Sequence, residues 1–216
     1  LGEGDLSQSL AALAPLGVVN ALLDFGDEAQ HEAWLPRFAS EAPVPAAVAL
    51  AEPRATFEPG DPHTRARRDG DDYILDGEKC LIPLVEQCQL FLVVAATDDG
   101  PAAFIVEADS PGLSRARQDY MGLRSAAPGT LTLEGVRVPA SQRLANFDLE
   151  RLVSLSRIGL AALATGCCQA VLEQCVPYAL ERKAFGEAIA RRQSVAFMIA
   201  DMGIEIEGMR LLTWRG

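Results

Sequence analysis

Residues 65–77 read Arg-Ala-Arg-Arg-Asp-Gly-Asp-Asp-Tyr-Ile-Leu-Asp-Gly, and this stretch predicts the centre of the fold. Residues 65–68 and 73–75 have strand character, and each run is followed by an Asp-Gly pair. Asp-Gly pairs favour tight turns between antiparallel strands because both residues tolerate positive φ. The stretch therefore predicts β-strands joined by Asp-Gly turns.

Further strand signals extend in both directions from this stretch. Residues 44–50 form a short apolar run, residues 90–95 and 102–106 flank the turn Asp98-Asp99-Gly100, and residues 130–138 alternate apolar with more polar side chains. Alternation with period two is typical of strands that bury one face. Together the signals predict a central antiparallel β domain at residues 44–146, built as a barrel or a sandwich.

Helical spacing replaces this alternation before residue 44. Apolar residues from Leu10 to Leu22 recur at helical intervals, and Gly26 follows them as a stop. A second short helix is expected from Asp27 toward Leu35, ending at Pro36. Residues 1–43 are therefore predicted to form an N-terminal helical domain.

Helical spacing also returns after residue 146. A long helix is expected over residues 151–178, and a second helix from residue 188 onward carries an apolar stripe that includes Ile206. Two long helices joined by a short turn predict an antiparallel pair, half of a bundle, at residues 147–216. Such a pair leaves an apolar stripe that further chain or a partner subunit must cover. The predicted fold class is thus α+β, with helices, a β domain and a helical bundle in that order.

Composition and charge exclude several classes of partner. The net charge is −11 with no long basic run, so nucleic acid is not an expected partner. No apolar stretch is expected to reach the ~18 residues of a membrane span, and Glu3 and Asp5 interrupt any signal peptide. Five cysteines without a CxxC pair predict free thiols in a cytoplasmic protein and no metal site. His31 and His63 stand in polar surroundings and are expected at the surface.

Several strings, taken in order, resemble the acyl-CoA dehydrogenase family. They are Phe-Gly-Asp-Glu-Ala-Gln at 25–30, Ala-Leu-Ala-Glu-Pro at 49–53, Tyr-Ile-Leu-Asp-Gly-Glu-Lys at 73–79, Met-Gly-Leu-Arg at 121–124 and Tyr-Ala-Leu-Glu-Arg-Lys-Ala-Phe-Gly at 178–186. The resemblance implies an oxidoreductase that oxidises acyl-CoA to 2-enoyl-CoA with FAD. It also implies a tetrameric or similar assembly and an electron-transferring flavoprotein as electron acceptor.

The resemblance assigns three residues to the acyl-CoA substrate. The string Phe-Asp-Leu-Glu-Arg-Leu-Val at 147–153 is similar to the variant in which the catalytic base lies on the first long helix, which makes Glu150 the candidate base. Asp148 and Arg151 match residues that contact the CoA portion. The alternatives are a first-turn glutamate stabilised by the helix dipole and an intrahelical pair of Arg151 with Asp148.

The resemblance places the cofactor at two separate groups of residues. Arg182, Phe185 and Gln193 match residues that hold the ADP half of FAD across a subunit boundary, the alternative being a helix-turn cap with Phe185 in the core. Two loops face the flavin ring in the family. Their residues here are Leu50, Ala51 and Phe57 in the first loop and Leu81, Ile82 and Pro83 in the second.

The two ring-side loops depart from the family pattern. Ala51 stands where a hydroxyl residue is usual, Phe57 adds bulk, and Leu81-Ile82-Pro83 replaces Trp-Ile-Thr or Trp-Ile-Ser. Proline offers neither a backbone N–H nor a hydroxyl. Three interpretations follow: an acyl-CoA dehydrogenase that binds FAD in an altered pocket, a non-flavin or inactive partner subunit of a mixed tetramer, and an acyl-CoA-binding module.

Overall fold

A computed structural model describes residues 1–216 and divides them into two compact units. One unit comprises Leu10–Ser154, and the other comprises Leu1–Ser9 with Leu155–Gly216. The first unit holds the predicted β domain together with most of the N-terminal helical segment. The domain boundaries after residues 43 and 146 stay predictions from the sequence.

The first unit is built on one mixed sheet of seven strands. The strands are β1 Ala46–Ala49, β2 Arg65–Asp69, β3 Asp72–Ile82, β4 Leu90–Thr97, β5 Gly100–Glu107, β6 Leu113–Arg117 and β7 Gly129–Pro139. Their spatial order is β1-β4-β2-β3-β7-β6, with β5 paired to β4. The hairpin of β4 and β5 forms at Asp98-Asp99-Gly100, which confirms that prediction.

Strand β4 shows how the sheet serves two hydrophobic cores. Phe91 and Val93 are buried in a cluster that includes side chains of β3, β5 and β7. Leu90, Leu92 and Val94 are buried in a second cluster with residues of the N-terminal helices. Because alternate side chains leave a strand on opposite faces, one fully apolar strand supplies both cores.

The sheet differs from the sequence prediction in three respects. It is mixed, because β1 and β2 both pair with β4 in parallel, and parallel neighbours need a longer connection than a turn. Asp76-Gly77 is an irregularity inside β3 where the pairing with β7 shifts register, so it does not join two strands. Strand β6, which carries little apolar signal, was not anticipated.

Two helices complete this unit at its N-terminal side. Helix α1 spans Leu6–Phe25 and helix α2 spans Glu28–Phe38, two residues beyond Pro36. Asp27 caps α2, since its side chain accepts from the Gln30 N–H at 2.8 Å while the Gln30 side chain accepts from the Asp27 N–H at 3.1 Å. Gln30 also donates to the carbonyls of Ser141 and Arg143, both at 2.8 Å. This glutamine therefore ties α2 to the segment that follows β7.

His31 is not a plain surface residue as the sequence suggested. It is half-buried, and its Nε2 lies 2.8 Å from the Leu22 carbonyl at the C-terminal end of α1. The same carbonyl accepts from the Gly26 N–H at 2.8 Å. The imidazole thus helps to satisfy the end of the helix, as basic side chains often do there. His63 is exposed, as expected.

The second unit is dominated by two long helices. Helix α3 spans Leu149–Glu181, beginning just inside the first unit, and helix α4 spans Gln193–Arg215. A two-stranded hairpin joins them, with β8 at Lys183–Ala184 and β9 at Glu187–Ala188. This hairpin lies where the sequence predicted a short break between two helices.

Contacts along the two helices confirm an antiparallel pair. Arg210 near the end of α4 donates to Gln169 in the middle of α3 at 2.9 Å, whereas Gly203 faces Leu172. The predicted apolar stripe of α4 runs from Val195 to Met209, and within it Ile206 is buried whereas Met198 is exposed. Many large apolar side chains of this unit remain exposed: Leu160, Val171, Val176, Leu180, Phe197, Ile204, Leu211, Leu212 and Trp214 among them.

Two helices are long and apolar enough to cross a membrane by length and composition alone, namely α1 and α3. The expectation that no apolar stretch reaches that length was therefore wrong. In α1, Val18, Leu22 and Phe25 are buried in the second hydrophobic cluster beside the sheet. The C-terminal half of α1 therefore packs into the core of the first unit.

Replacing Gly77 by alanine is expected to lower the free energy of unfolding by about 3 kcal/mol. Gly77 has φ +148°, and a Cβ there would lie 2.7 Å from Thr64 Cα, so strand β3 or the Thr64 backbone must shift. Gly100→Ala is the matched control, because Gly100 has φ +114° with nothing within 4 Å of an added Cβ. Denaturant unfolding measures both losses. Equal losses in the two variants would show that the approach to Thr64 is unimportant.

Candidate functional site

The two loops that the sequence singled out lie side by side in the first unit. We call residues 50–57 the first loop, and we call residues 80–83, which comprise the irregular end of β3 and Pro83, the second loop. The backbone N–H of Cys80 donates to the Ala51 carbonyl at 2.9 Å, and the Lys79 ammonium donates to the Leu50 carbonyl at 3.1 Å. The structure therefore brings Leu50, Ala51 and the residues after Lys79 together, as their joint assignment to one site requires.

A buried ion pair links the two loops: Glu52 lies in the first loop, and Lys79 directly precedes the second. The Lys79 side chain is fully buried and its Nζ lies 2.9 Å from Glu52 Oε1, whose residue is 5% exposed. The same oxygen accepts from the Thr64 backbone N–H at 2.9 Å and from the Thr64 hydroxyl at 2.8 Å, while Oε2 accepts from the His63 backbone N–H at 2.8 Å. Both carboxylate oxygens are thus occupied by donors, as a buried charge requires.

The electrostatics of the pair follow from these contacts. Burial alone would raise the pKa of Glu52, but the hydrogen bonds from Lys79, Thr64 and His63 outweigh it and lower the pKa to about 2. Burial lowers the pKa of the Lys79 ammonium, and the bond to Glu52 opposes that shift. Glu52 is therefore a fixed anion at neutral pH, a structural charge without a proton to transfer.

Neither Glu52 nor Lys79 was a candidate from the sequence, although a signal was present. Tyr73, Leu75 and Lys79 share the parity of inward-facing positions on β3, and the first two are buried as expected. A lysine in register with core residues must find an anion, because an unpaired buried ammonium is very costly. On these grounds the sequence indicates that Lys79 has an acidic partner. It does not identify Glu52, because the two residues lie 27 positions apart and only the fold brings them together.

The first loop continues into a second cluster around Arg54. The Arg54 Nε lies 3.4 Å from Glu52 Oε2, its NH1 lies 3.7 Å from the Asp61 carboxylate, and its NH2 donates to the Asp61 carbonyl. The guanidinium also lies over the Phe57 ring, 5.5 Å from the centroid. Phe57, a candidate contact of the flavin and a departure from the family pattern, is thus held against Arg54.

The second loop combines strain with exposure. Leu81 and Leu84 have φ of +57° and +49°, which costs a branched side chain about 1–3 kcal/mol each. Leu81 is 57% exposed, whereas Ile82 is buried and re-enters the ladder opposite Gly129. Pro83 follows Ile82 and precedes Leu84. The Leu84 N–H donates to the Ala126 carbonyl at 2.8 Å. The loop therefore displays Leu81 while anchoring both of its ends.

The start of α3 carries the three residues assigned to the substrate. Asp148 accepts from the Arg151 backbone N–H at 3.1 Å, which makes it a helix cap. The Arg151 side chain pairs with Asp24 on α1 at 2.7 Å, so the expected alternative of an intrahelical pair with Asp148 is wrong. Glu150 is exposed in the first turn of the helix. The three residues therefore lie together at one exposed helix start, but no contact joins their side chains.

The hairpin of the second unit and its flanks carry the residues that the resemblance assigns to the ADP half of FAD. Phe185 is 96% exposed at the tip, where Phe185 and Gly186 have φ of +56° and +87°. The Arg192 guanidinium lies 5.6 Å from the Phe185 ring centroid and 3.3 Å from the Glu187 carboxylate. Arg182 and Gln193, on either side of the hairpin, are both exposed. The alternative position of Phe185 in a core is wrong.

The cysteines and acidic side chains offer no metal centre. All five thiols are free, and no group of three or more His, Cys, Asp and Glu side chains lies close enough to hold a metal ion. Burial raises the pKa of the Cys88 thiol to about 12, so that cysteine is not nucleophilic.

Comparison with known proteins identifies relatives for both units. Residues 47–136 match the family model "Acyl-CoA dehydrogenase, middle domain", and residues 148–216 match "Acyl-CoA dehydrogenase, C-terminal domain". The chain is 34% identical to the mitochondrial short-chain specific acyl-CoA dehydrogenase of Bos taurus over 90% of its own length and 50% of the relative. It thus spans about half the length of the curated relatives it matches.

Solved structures give the same result. Butyryl-CoA dehydrogenase from Megasphaera elsdenii superposes with a TM-score of 0.89 and 30% identity, covering 100% of this chain and 59% of that one. Glutaryl-CoA dehydrogenase from Mycobacterium smegmatis, in complex with FADH2, superposes with a TM-score of 0.81 and 31% identity, covering 89% and 51%. The order of helices, sheet and helices is therefore shared with these enzymes.

Glu52→Gln is expected to remove a pH-dependent part of the stability. A carboxyl whose pKa falls from 4.5 in the unfolded chain to about 2 in the folded protein contributes about 3 kcal/mol above pH 4.5, and this is lost as the pH falls through 2. The difference in unfolding free energy between wild type and variant should be largest at neutral pH and shrink between these limits. Urea unfolding at several pH values measures it, with exposed Glu173→Gln as control. A difference independent of pH would contradict the assignment of the charge.

Proposed function

Since the chain belongs to the acyl-CoA dehydrogenase family, we propose that it takes part in the FAD-dependent oxidation of an acyl-CoA thioester to the 2-enoyl-CoA. The observation that carries the proposal is the exposed hairpin with Phe185 at its tip. A large aromatic side chain in a left-handed conformation is unfavourable in water, on account of both strain and exposure. Such a side chain is expected to gain a binding partner, and a nucleotide shared with a neighbouring protomer is the partner we infer.

The chemistry of the donors at this hairpin fits the ADP half of FAD. Arg182 supplies a permanent positive charge for a diphosphate, and the exposed Phe185 offers an apolar surface to the cofactor. Gln193, at the first residue of α4, adds an amide donor beside helix N–H groups that lack an intrahelical partner. All three side chains are accessible, so a nucleotide can reach them.

The ring-side loops fit a flavin through backbone groups alone. Ala51 has no side-chain donor and Pro83 has no N–H, so the peptide groups of Leu50, Ala51 and Ile82 remain as candidates. Leu81 is exposed beside them and supplies apolar contact in place of an aromatic ring. When bound, FAD would accept a hydride from the substrate Cβ, and the protein would supply binding, orientation and a base.

Glu150 is the proposed base for the α-proton. Its carboxylate is exposed at the start of α3, so a substrate can reach it. Arg151, on the same turn, could hold an anionic portion of CoA after exchanging its pair with Asp24 for a phosphate. Asp148 fixes the helix start that presents both residues. Removal of the α-proton by Glu150, with departure of the β-hydrogen as hydride, leaves the Cα–Cβ double bond.

The exposed apolar side chains of the helical pair support assembly into an oligomer. Val171, Leu180, Ile204 and Leu212 are all exposed, which water disfavours at this density. We propose a tetramer, either of identical chains or with a related chain, and an electron-transferring flavoprotein as electron acceptor. The free thiols are compatible with the proposed cytoplasmic location.

Glu150→Gln is expected to abolish acyl-CoA-dependent turnover, by a factor of about 10³ or more, because an amide cannot accept the α-proton. FAD content should remain as in the wild type. Dye-linked turnover with a series of acyl-CoA thioesters measures the effect, and Glu173→Gln on an exposed turn of the same helix is the control. Near-normal turnover in Glu150→Gln would refute the assignment of the base.

Arg182→Ala is expected to weaken FAD binding about tenfold or more, because it removes a charge-assisted bond of about 1.5–3 kcal/mol. Lys183→Ala is the matched control, since Lys183 is the adjacent exposed cation. Fluorescence titration of the apoprotein with FAD measures both. Equal affinities in the two variants would remove the hairpin from the cofactor site.

A further inference from the structure

The Lys79–Glu52 pair connects the two ring-side loops to each other. Lys79 immediately precedes the second loop, and Glu52 lies within the first loop. The Lys79 ammonium holds the Leu50 carbonyl at 3.1 Å as well as Glu52 at 2.9 Å. One fully buried side chain therefore holds the Leu50 carbonyl, in a loop 29 positions away.

The contacts of Glu52 make this arrangement rigid. Its carboxylate accepts bonds from the Thr64 N–H and hydroxyl and from the His63 N–H, all between 2.8 and 2.9 Å. Gly77 of β3 approaches Thr64 so closely that no side chain fits between them. The first loop is consequently fixed on strand β3 by Lys79, Thr64 and the His63 backbone, and the Arg54 Nε lies 3.4 Å from the same carboxylate.

Stability alone does not explain a charged pair at this position. Replacing a buried ion pair by apolar side chains of similar volume is often neutral or stabilising. A charge-assisted pair differs from an apolar one in its directed bonds, and the Lys79 ammonium directs one of them to the Leu50 carbonyl. The backbone bond from the Cys80 N–H to the Ala51 carbonyl, at 2.9 Å, holds the neighbouring peptide beside it. The loops lack side-chain donors at Ala51 and Pro83, so the placement of their peptide groups is what remains to hold a ring.

We propose that Lys79 and Glu52 are positioning residues for the flavin: the buried pair holds the peptide groups of the two loops in the arrangement that binds the ring, before FAD arrives. This inference rests on the proposed function, since it concerns the same cofactor. Neither residue touches the flavin in this account. Both act through the backbone of Leu50, Ala51 and Cys80.

The test compares Glu52→Gln/Lys79→Met, in which both charges are removed and the shapes are nearly kept, with Arg137→Met. Arg137 is the control because it pairs with Asp69 and Asp72 at the exposed surface of the same sheet. Three quantities are measured on each protein: hydrogen exchange of the Cys80 amide without FAD, the dissociation constant for FAD, and the midpoint potential of the bound flavin. Thr64→Val, which removes only one donor to Glu52, serves if the double variant does not fold.

The proposal predicts faster exchange at Cys80, at least tenfold weaker FAD binding and a shifted flavin potential in the double variant, with none of these in Arg137→Met. Thr64→Val should show the same changes to a smaller extent. FAD affinity within twofold of wild type, with an unchanged potential, would overturn the positioning role while leaving the proposed function intact. Wild-type protein that takes up no FAD would overturn the proposed function itself, and the positioning role with it.

Discussion

A lysine enclosed by a β-sheet must keep an anion beside it, and much of the first unit follows from that constraint. Lys79 shares its inward position with the core residues of β3, so it cannot reach water. Glu52 neutralises it, and Thr64 and the His63 backbone complete the carboxylate's hydrogen bonds. Three segments that are distant in sequence are thereby fixed together: the end of β1, the approach to β2 and the exit from β3. The two loops emerge from this fixed point.

A cofactor site can present its hydrogen-bonding groups in two ways. A site with side-chain donors depends on rotamers near the ligand, whereas these loops can offer peptide groups that are oriented by a charge behind them. The hairpin of the second unit differs from both, because a left-handed turn at Phe185 and Gly186 presents an exposed aromatic ring. The exposed ring is expected to meet the cofactor directly, whereas the buried charge is expected to act through the peptide groups beside it.

Much of the fold could be predicted from local sequence patterns, because the spacing of apolar residues reflects which side chains are buried. The alternation in residues 130–138 gave β7, the Asp98-Asp99-Gly100 turn gave the β4–β5 hairpin, and helical spacing gave the α3–α4 pair. Parallel pairing of β1 and β2 with β4 could not be read, because it depends on how distant segments meet. The Asp76-Gly77 irregularity was not predicted for a similar reason. The glycine is needed because Thr64 approaches it closely, and a turn pattern does not encode that approach.

The candidate site was recognisable as strings in order, but its geometry was not. The structure shows Phe57 against Arg54, Arg151 paired with Asp24, and the Lys79–Glu52 pair behind the loops, all of which are long-range or side-chain facts. The most direct test of the account is anaerobic addition of acyl-CoA to purified, FAD-supplemented protein, followed by its visible spectrum. We expect an equimolar flavin whose absorption is bleached on addition of acyl-CoA. A colourless protein, or a flavin unchanged by every acyl-CoA, would contradict it.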